Sequence, residues 1–130
     1  MKIENIKFKA KRLDGKGWVE GDLIHKETYV DIGYLSSEIP NITRVHRVDP
    51  STVCQFTGEK DMNGDNIYVG DIISNLETKS VIEVVWNDKM KMLDCKFLNG
   101  EKCCFDIPFG TFVARYHRIV VLRSKFDKEK

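Results

Sequence analysis

The sequence predicts a mainly β fold, a small antiparallel β-barrel or rolled sheet built from hairpins, with at most one or two short helical turns. Three observations lead there. Apolar residues alternate with charged ones at the two-residue period of a strand, as in Ile6-Lys7-Phe8-Lys9-Ala10-Lys11. Asp14-Gly15, Asn63-Gly64 and Asn99-Gly100 punctuate such runs with the dipeptides that supply tight hairpin turns. Helical spacing is nearly absent from the chain.

Taken in order, Ile6 to Lys11 predicts a first strand. Asp14-Gly15 turns the chain into Trp18 to Ile24, which should pair antiparallel with it. Thr28 to Tyr34 is rich in β-branched and aromatic residues, Ser36 to Thr43 reads as a loop around Pro40-Asn41, and Thr43 to Val48 predicts a short strand. In Asp49-Pro50-Ser51-Thr52 a capping carboxylate precedes a proline, which favours a single helical turn. Val53 to Thr57 and Asn66 to Ile73 flank the Asn63-Gly64 loop, and Ser80 to Trp86 follows a turn at Glu77 to Lys79.

Lys89 to Leu98 and Glu101 to Asp106 surround Asn99-Gly100. A two-residue turn there sets Leu98 against Glu101 and Cys95 against Cys104, where two thiols could meet. Phe109, Phe112 and Val113 share a face over Ile107 to Tyr116, predicting one or two helical turns, and Arg118 to Arg123 supplies a last strand. A single domain over residues 1–123 and a charged, frayed tail over 124–130 are expected.

Composition narrows function by exclusion. The 130 residues carry 21 Lys plus Arg against 20 Asp plus Glu, a net charge of +1, where proteins that live on phosphate backbones usually show a clear basic excess. No apolar run is long enough to span a bilayer, and the first residues lack the order of a signal peptide, so a cytoplasmic protein with no membrane partner is expected. Cys54, Cys95, Cys103 and Cys104 form no spaced framework and read as thiols of a reducing compartment.

No nucleophile or base is nominated by the scattered His25, His46 and His117, and no phosphate-cradling or zinc-binding spacing occurs. No catalytic, cofactor-binding or metal residue is assigned, and no cofactor is expected. Asp61-Met62-Asn63-Gly64-Asp65-Asn66 invites a calcium reading, but the positions where an EF-hand loop needs glycine and glutamate hold Asn66 and Ile72. Asp14-Gly15 and Asn63-Gly64 are each followed, six positions after the glycine, by Gly-Asp. This repeat predicts a turn-and-strand unit used twice; an enzyme using Asp22 and Asp71 as a carboxylate pair is the reading that competes with it.

The segment from Asp49 to Ile73 resembles the signature of YopX-like proteins: Gln55-Phe56-Thr57-Gly58, then Asp61-Met62-Asn63-Gly64, then Tyr68-Val69-Gly70-Asp71-Ile72. Ile6 to Ala10, Trp18 to Gly21 and Val81 to Trp86 are similar to other parts of that family. Lys11, where the family often has tryptophan, and the segment from Arg118 depart from it. The resemblance implies a β-rich fold and a phage or prophage setting, and no activity that can be carried over.

The expected function is therefore that of a non-catalytic phage or prophage accessory protein that binds another macromolecule, a protein or a second copy of itself, through available strand edges. The alternative is a nucleic-acid-binding β-barrel whose basic strand face would be Lys7, Lys9, Lys11 and Arg12 beside Arg44 and Arg47. Trp18, Tyr68, Trp86 and Phe56 would then be the aromatics available for base stacking.

Overall fold

A computed structural model describes residues 2–99 and 107–127. The chain forms two compact units, Met1–Phe56 and Thr57–Lys130, and its architecture is mainly β, in two antiparallel sheets.

In the first unit a short 3-10 turn (Ile3–Asn5) leads into β1 (Phe8–Lys11), β2 (Trp18–His25), β3 (Val30–Leu35) and β4 (Thr43–Val48), with neighbours in the order β4-β3-β2-β1. A 3-10 turn at Pro50–Thr52 follows, capped as its sequence predicts by the Asp49 side chain, which accepts from the Ser51 N–H. β5 (Cys54–Lys60) then begins, with Cys54 and Gln55 paired against Lys9 and Phe8 of β1.

β2 is shared between two partners. Its first half pairs with β1, Ala10 opposite Val19 and Lys11 opposite Trp18. Its second half pairs with β3, Asp22 opposite Gly33 and Leu23 opposite Ile32. The change of partner falls at Gly21, where an added Cβ would stand 2.3 Å from the Gly33 carbonyl oxygen. Only a glycine permits that approach of two backbones.

The sheet also rolls. Arg12 bridges Val48, the Leu13 N–H donates to the Arg47 carbonyl at 3.0 Å, and the Asp49 N–H donates to the Lys11 carbonyl at 2.8 Å. These contacts join the end of β4 to the chain just beyond β1 without a full ladder, so the sheet is rolled and does not close into a barrel. Inside the roll lie Ala10, Val19, Val30, Ile32 and Val48, covered by Phe8, Leu23, Tyr34 and Val53. These are the alternate residues of each strand, the face that a two-residue period sends inward.

In the second unit the rest of β5 lies beside β6 (Asn66–Tyr68). A second sheet contains β7 (Asp71–Asn75), β8 (Val81–Asn87), β9 (Met92–Phe97), β10 (Ile107–Pro108) and β11 (Ile119–Ser124), in the order β10-β9-β8-β7-β11. The stretch predicted as one strand from Asn66 to Ile73 is broken by a turn at Val69-Gly70, because Gly70 adopts φ +93°. The helix predicted around Phe109 is α1 (Phe109–Arg115); it buries Phe109 and Phe112 and half-buries Val113. Those aromatics join Ile67, Ile73, Ile82, Val84, Cys95 and Ile119 in the core of this unit.

One register differs from expectation. Ile107, rather than Cys104, stands opposite Cys95, and Pro108 stands opposite Asp94. Half-buried Ile107 packs against the buried cluster and delivers the chain directly into α1, a packing that goes with this pairing and not with the shortest turn. Asn99-Gly100 as a hairpin, Cys103, Cys104 and Glu101 to Asp106 lie outside the described residues in whole or part. Cys54 and Cys95 are buried, and the Cys54 S–H donates to the Thr52 carbonyl at 3.3 Å. At its far end β11 finishes in buried Ser124; the Asp127 carboxylate accepts the Ser124 N–H, and the Phe126 N–H donates to the Ser124 hydroxyl.

Candidate functional site

All six residues of the expected basic face lie in the first unit, and the rolled sheet gives them particular neighbours. Lys7, Lys9 and Lys11 alternate along β1 and its approach with Phe8 and Ala10 facing the core, so the lysines share the other face. That face is not bare. The Lys7 ammonium sits 4.7 Å from the centre of the Phe56 ring and 3.8 Å from the Glu20 carboxylate. Lys9 and Lys11 both lie over Trp18, at 4.6 and 5.5 Å. All three lysines are half-buried, their stems along aromatic surface and their charges over ring faces.

The arginines divide. Arg47 is held by Asp31, Nε to Oδ1 at 2.7 Å, with its guanidinium 3.7 Å from the Tyr29 ring centre. Arg12 is paired with Asp14. The Lys16 backbone N–H donates to Asp14 at 3.0 Å, and this bond, with the Arg12 guanidinium, holds the Asp14 carboxyl below its ordinary value. Arg44 is exposed and has no ion pair among the described residues.

Arg44 stands opposite Tyr34 across the β3–β4 hairpin, and His46 stands opposite Ile32. Tyr34 and His46 stack at 5.7 Å, with the hydroxyl 3.2 Å from Nε2. Tyr34, Arg44 and His46, with Arg12 and residues 36–38, line a hollow of about 210 Å³.

On the other face of the same hairpin, Leu35 and Val45 are 74% and 49% exposed, and the connecting loop exposes Ile39 and Ile42 at 48% and 43%. Such a concentration within eleven residues is what single scattered surface apolars are not. Between the two faces runs the outer edge of β4. The Ile42 carbonyl bonds inward to Ser36 and the Arg47 carbonyl outward to Leu13. The backbone alternation of an antiparallel pair then directs the Thr43 and Val45 N–H and C=O groups outward, where no bond to them occurs among the described residues. Neither this edge nor the apolar tip was marked by the sequence, because an edge strand and an inner strand carry the same period. Leu35, Ile39 and Ile42 flanking a Pro-Asn loop were the available signal.

The signature residues do structural work. Asp61 is buried; its Oδ1 accepts from the Asn63 and Asp65 N–H groups at 2.9 Å each, and its Oδ2 accepts from the Val121 N–H at 2.9 Å. The oxygens on which a cation reading depends therefore face N–H donors. The Thr57 hydroxyl donates to the Ile67 carbonyl at 2.7 Å, while Gly58 and Gly64 hold φ of +89° and +84°. Gly70 gives its N–H to the Val84 carbonyl and accepts from the Lys125 N–H. Phe56 and Tyr68 are buried, and Gln55 is exposed on β5.

The two halves of the Gly-Asp repeat part ways. Asp71 is fully buried and accepts the Tyr68 N–H at 2.8 Å, closing the turn between β6 and β7. Asp22 is exposed on β2. Gly21 lies within a strand and Gly70 within a turn, so the shared dipeptide serves two different structures.

Among curated proteins none matches the chain. A family model described as YopX protein matches residues 7–110, a span that contains the rolled sheet, the whole signature and the start of α1. With most of its length matched in this way, the chain belongs to the YopX family.

Proposed function

We propose that this YopX-family protein is a phage or prophage accessory protein of the host cytoplasm that works as a non-catalytic binding module for another protein. The observation that carries this reading is the β3–β4 hairpin, where exposed Leu35, Ile39, Ile42 and Val45 adjoin the open backbone edge at Thr43 and Val45. An extended partner segment can take up such an edge through main-chain hydrogen bonds, while the apolar tip supplies buried area. The lysine row supports the same reading indirectly. Its charges already lie over Phe56 and Trp18, which covers the ring faces a stacked base would need.

A nucleic-acid interface is the second reading, favoured by the placement of six cationic side chains within one unit of a chain whose net charge is only +1.

The test compares tagged wild type with a Leu35→Lys/Val45→Lys double variant, both used to recover partners from host lysate after nuclease treatment. A defined protein retained by the wild type and lost by the variant is the expected result. Recovery that vanishes on nuclease treatment, or is identical for the two baits, overturns the reading.

A further inference from the structure

The hollow beside Arg44 is small and polar. At about 210 Å³ it falls below the roughly 300–1,000 Å³ of pockets that enclose drug-sized ligands or cofactors, so it suits a single compact group. Two of its lining side chains, Arg12 and Arg44, are cationic; His46 adds an imidazole, Tyr34 and Ser36 add hydroxyls, and Glu38 is its one carboxylate. The Ser36 oxygen already accepts from the Glu38 and Ile39 N–H groups at 3.2 Å each, so its proton remains to be donated.

A second observation concerns Arg12. Its Nε is buried, without accessible surface, and has no hydrogen-bond partner among the described residues; the other end of the same guanidinium is held by Asp14, so a ligand in the hollow reaches that N–H only once the Arg12 side chain shifts. A buried N–H of a charged group without an acceptor is costly unless something supplies one. Arginine forks match the oxygens of phosphate with paired donors, and hydroxyl groups at the rim complete such a shell.

We propose that this hollow is a binding site for a tetrahedral oxyanion, a free phosphate or a phosphate monoester, held by Arg12 and Arg44 with donors from Ser36 and the Tyr34–His46 pair. The site stands on its own geometry and does not depend on the protein-binding reading.

The test is a titration of the ¹⁵N-labelled full chain, at fixed near-neutral pH and constant ionic strength, with inorganic phosphate, phosphoserine and adenosine 5′-phosphate. A dinucleotide lacking a terminal phosphate is the fourth probe. Saturable shifts of the Arg12 Nε–Hε and Ser36 signals are expected with at least one monoanionic or dianionic phosphate probe. Arg44→Gln should weaken that binding about tenfold, the scale of one charge-assisted hydrogen bond. Glu38→Gln should tighten it about two- to fivefold by removing an exposed like charge. Both substitutions are at exposed positions, so folding does not confound them. Preference for phosphoserine would mark a phosphorylated protein as the source, preference for the nucleotide a nucleic-acid terminus, and equal binding free phosphate. Shifts that rise without saturating, affinities unchanged in both variants, or equal binding of the dinucleotide would overturn the proposal.

Discussion

Asp61 accepts the Val121 backbone N–H at 2.9 Å across sixty residues of sequence. The same carboxylate caps its own loop through the Asn63 and Asp65 N–H groups. One side chain thereby fixes a turn and tethers β11 to it, with the Met62 N–H to Ile119 carbonyl bond at 3.0 Å alongside.

Removal of this carboxylate leaves three N–H groups without their acceptor. Asp61→Ala is expected to cost about 2–4 kcal/mol, on the scale of hydrogen bonds to a charged group and of unsatisfied buried donors. Urea unfolding followed by far-ultraviolet circular dichroism measures it; a loss under about 1 kcal/mol would show that water replaces the carboxylate.

Gly21 and Gly110 should respond oppositely to the same change. A Cβ at Gly21 meets the Gly33 carbonyl oxygen at 2.3 Å, so Gly21→Ala forces strands apart and should cost about 1–3 kcal/mol. Gly110, in the first turn of α1, has open space around it, and Gly110→Ala should stabilise by about 0.4–1 kcal/mol by restricting the unfolded chain. Thermal unfolding of the pair should shift the midpoint in opposite directions.

Lys9 and Lys11 lie over Trp18. Replacing both by alanine should alter the Trp18 fluorescence and cost about 0.5–2 kcal/mol in total, the scale of two cation–π contacts between half-buried side chains. If the row serves the protein's own rings, Lys7→Glu and Lys9→Glu leave any weak affinity for single-stranded DNA unchanged; a steep loss, with a lowered salt slope, would favour the nucleic-acid reading.

Acid titration singles out Asp14. Its carboxyl is held below the ordinary value of 3.8 by the Lys16 N–H and Arg12. A group with a depressed folded value binds its proton more readily in the unfolded chain. Its contribution to stability is therefore fully present above about 3.8 and disappears as pH falls through the lower folded value. The carboxyl-carbon resonance should titrate with a midpoint below 3.8, and Asp14→Asn should remove that component of the acid dependence.

Much of this architecture was legible without coordinates. Two-residue alternation marked the strands, Asp49-Pro50 marked the capped turn, and Phe109, Phe112 and Val113 marked α1, because spacing and capping are properties of neighbouring residues. The sequence by itself thus determined the fold class, most strands and the family.

What lies opposite a strand is not a local property, and here only the tertiary structure decided. Gly-Asp occurs twice, yet Asp71 is buried in a turn while Asp22 faces solvent, since the partners of β2 and β7 differ. Ile107 stands opposite Cys95, where the shortest turn would have set Cys104, and packs half-buried against the core that holds Phe109. The lysines of β1 and its approach look solvated in the sequence, and pairing with β2 and β5 brings Trp18 and Phe56 beneath them. Burial, register and the neighbours of a charge depend on contacts between residues far apart in the chain, which are fixed only when the sheets pair and pack.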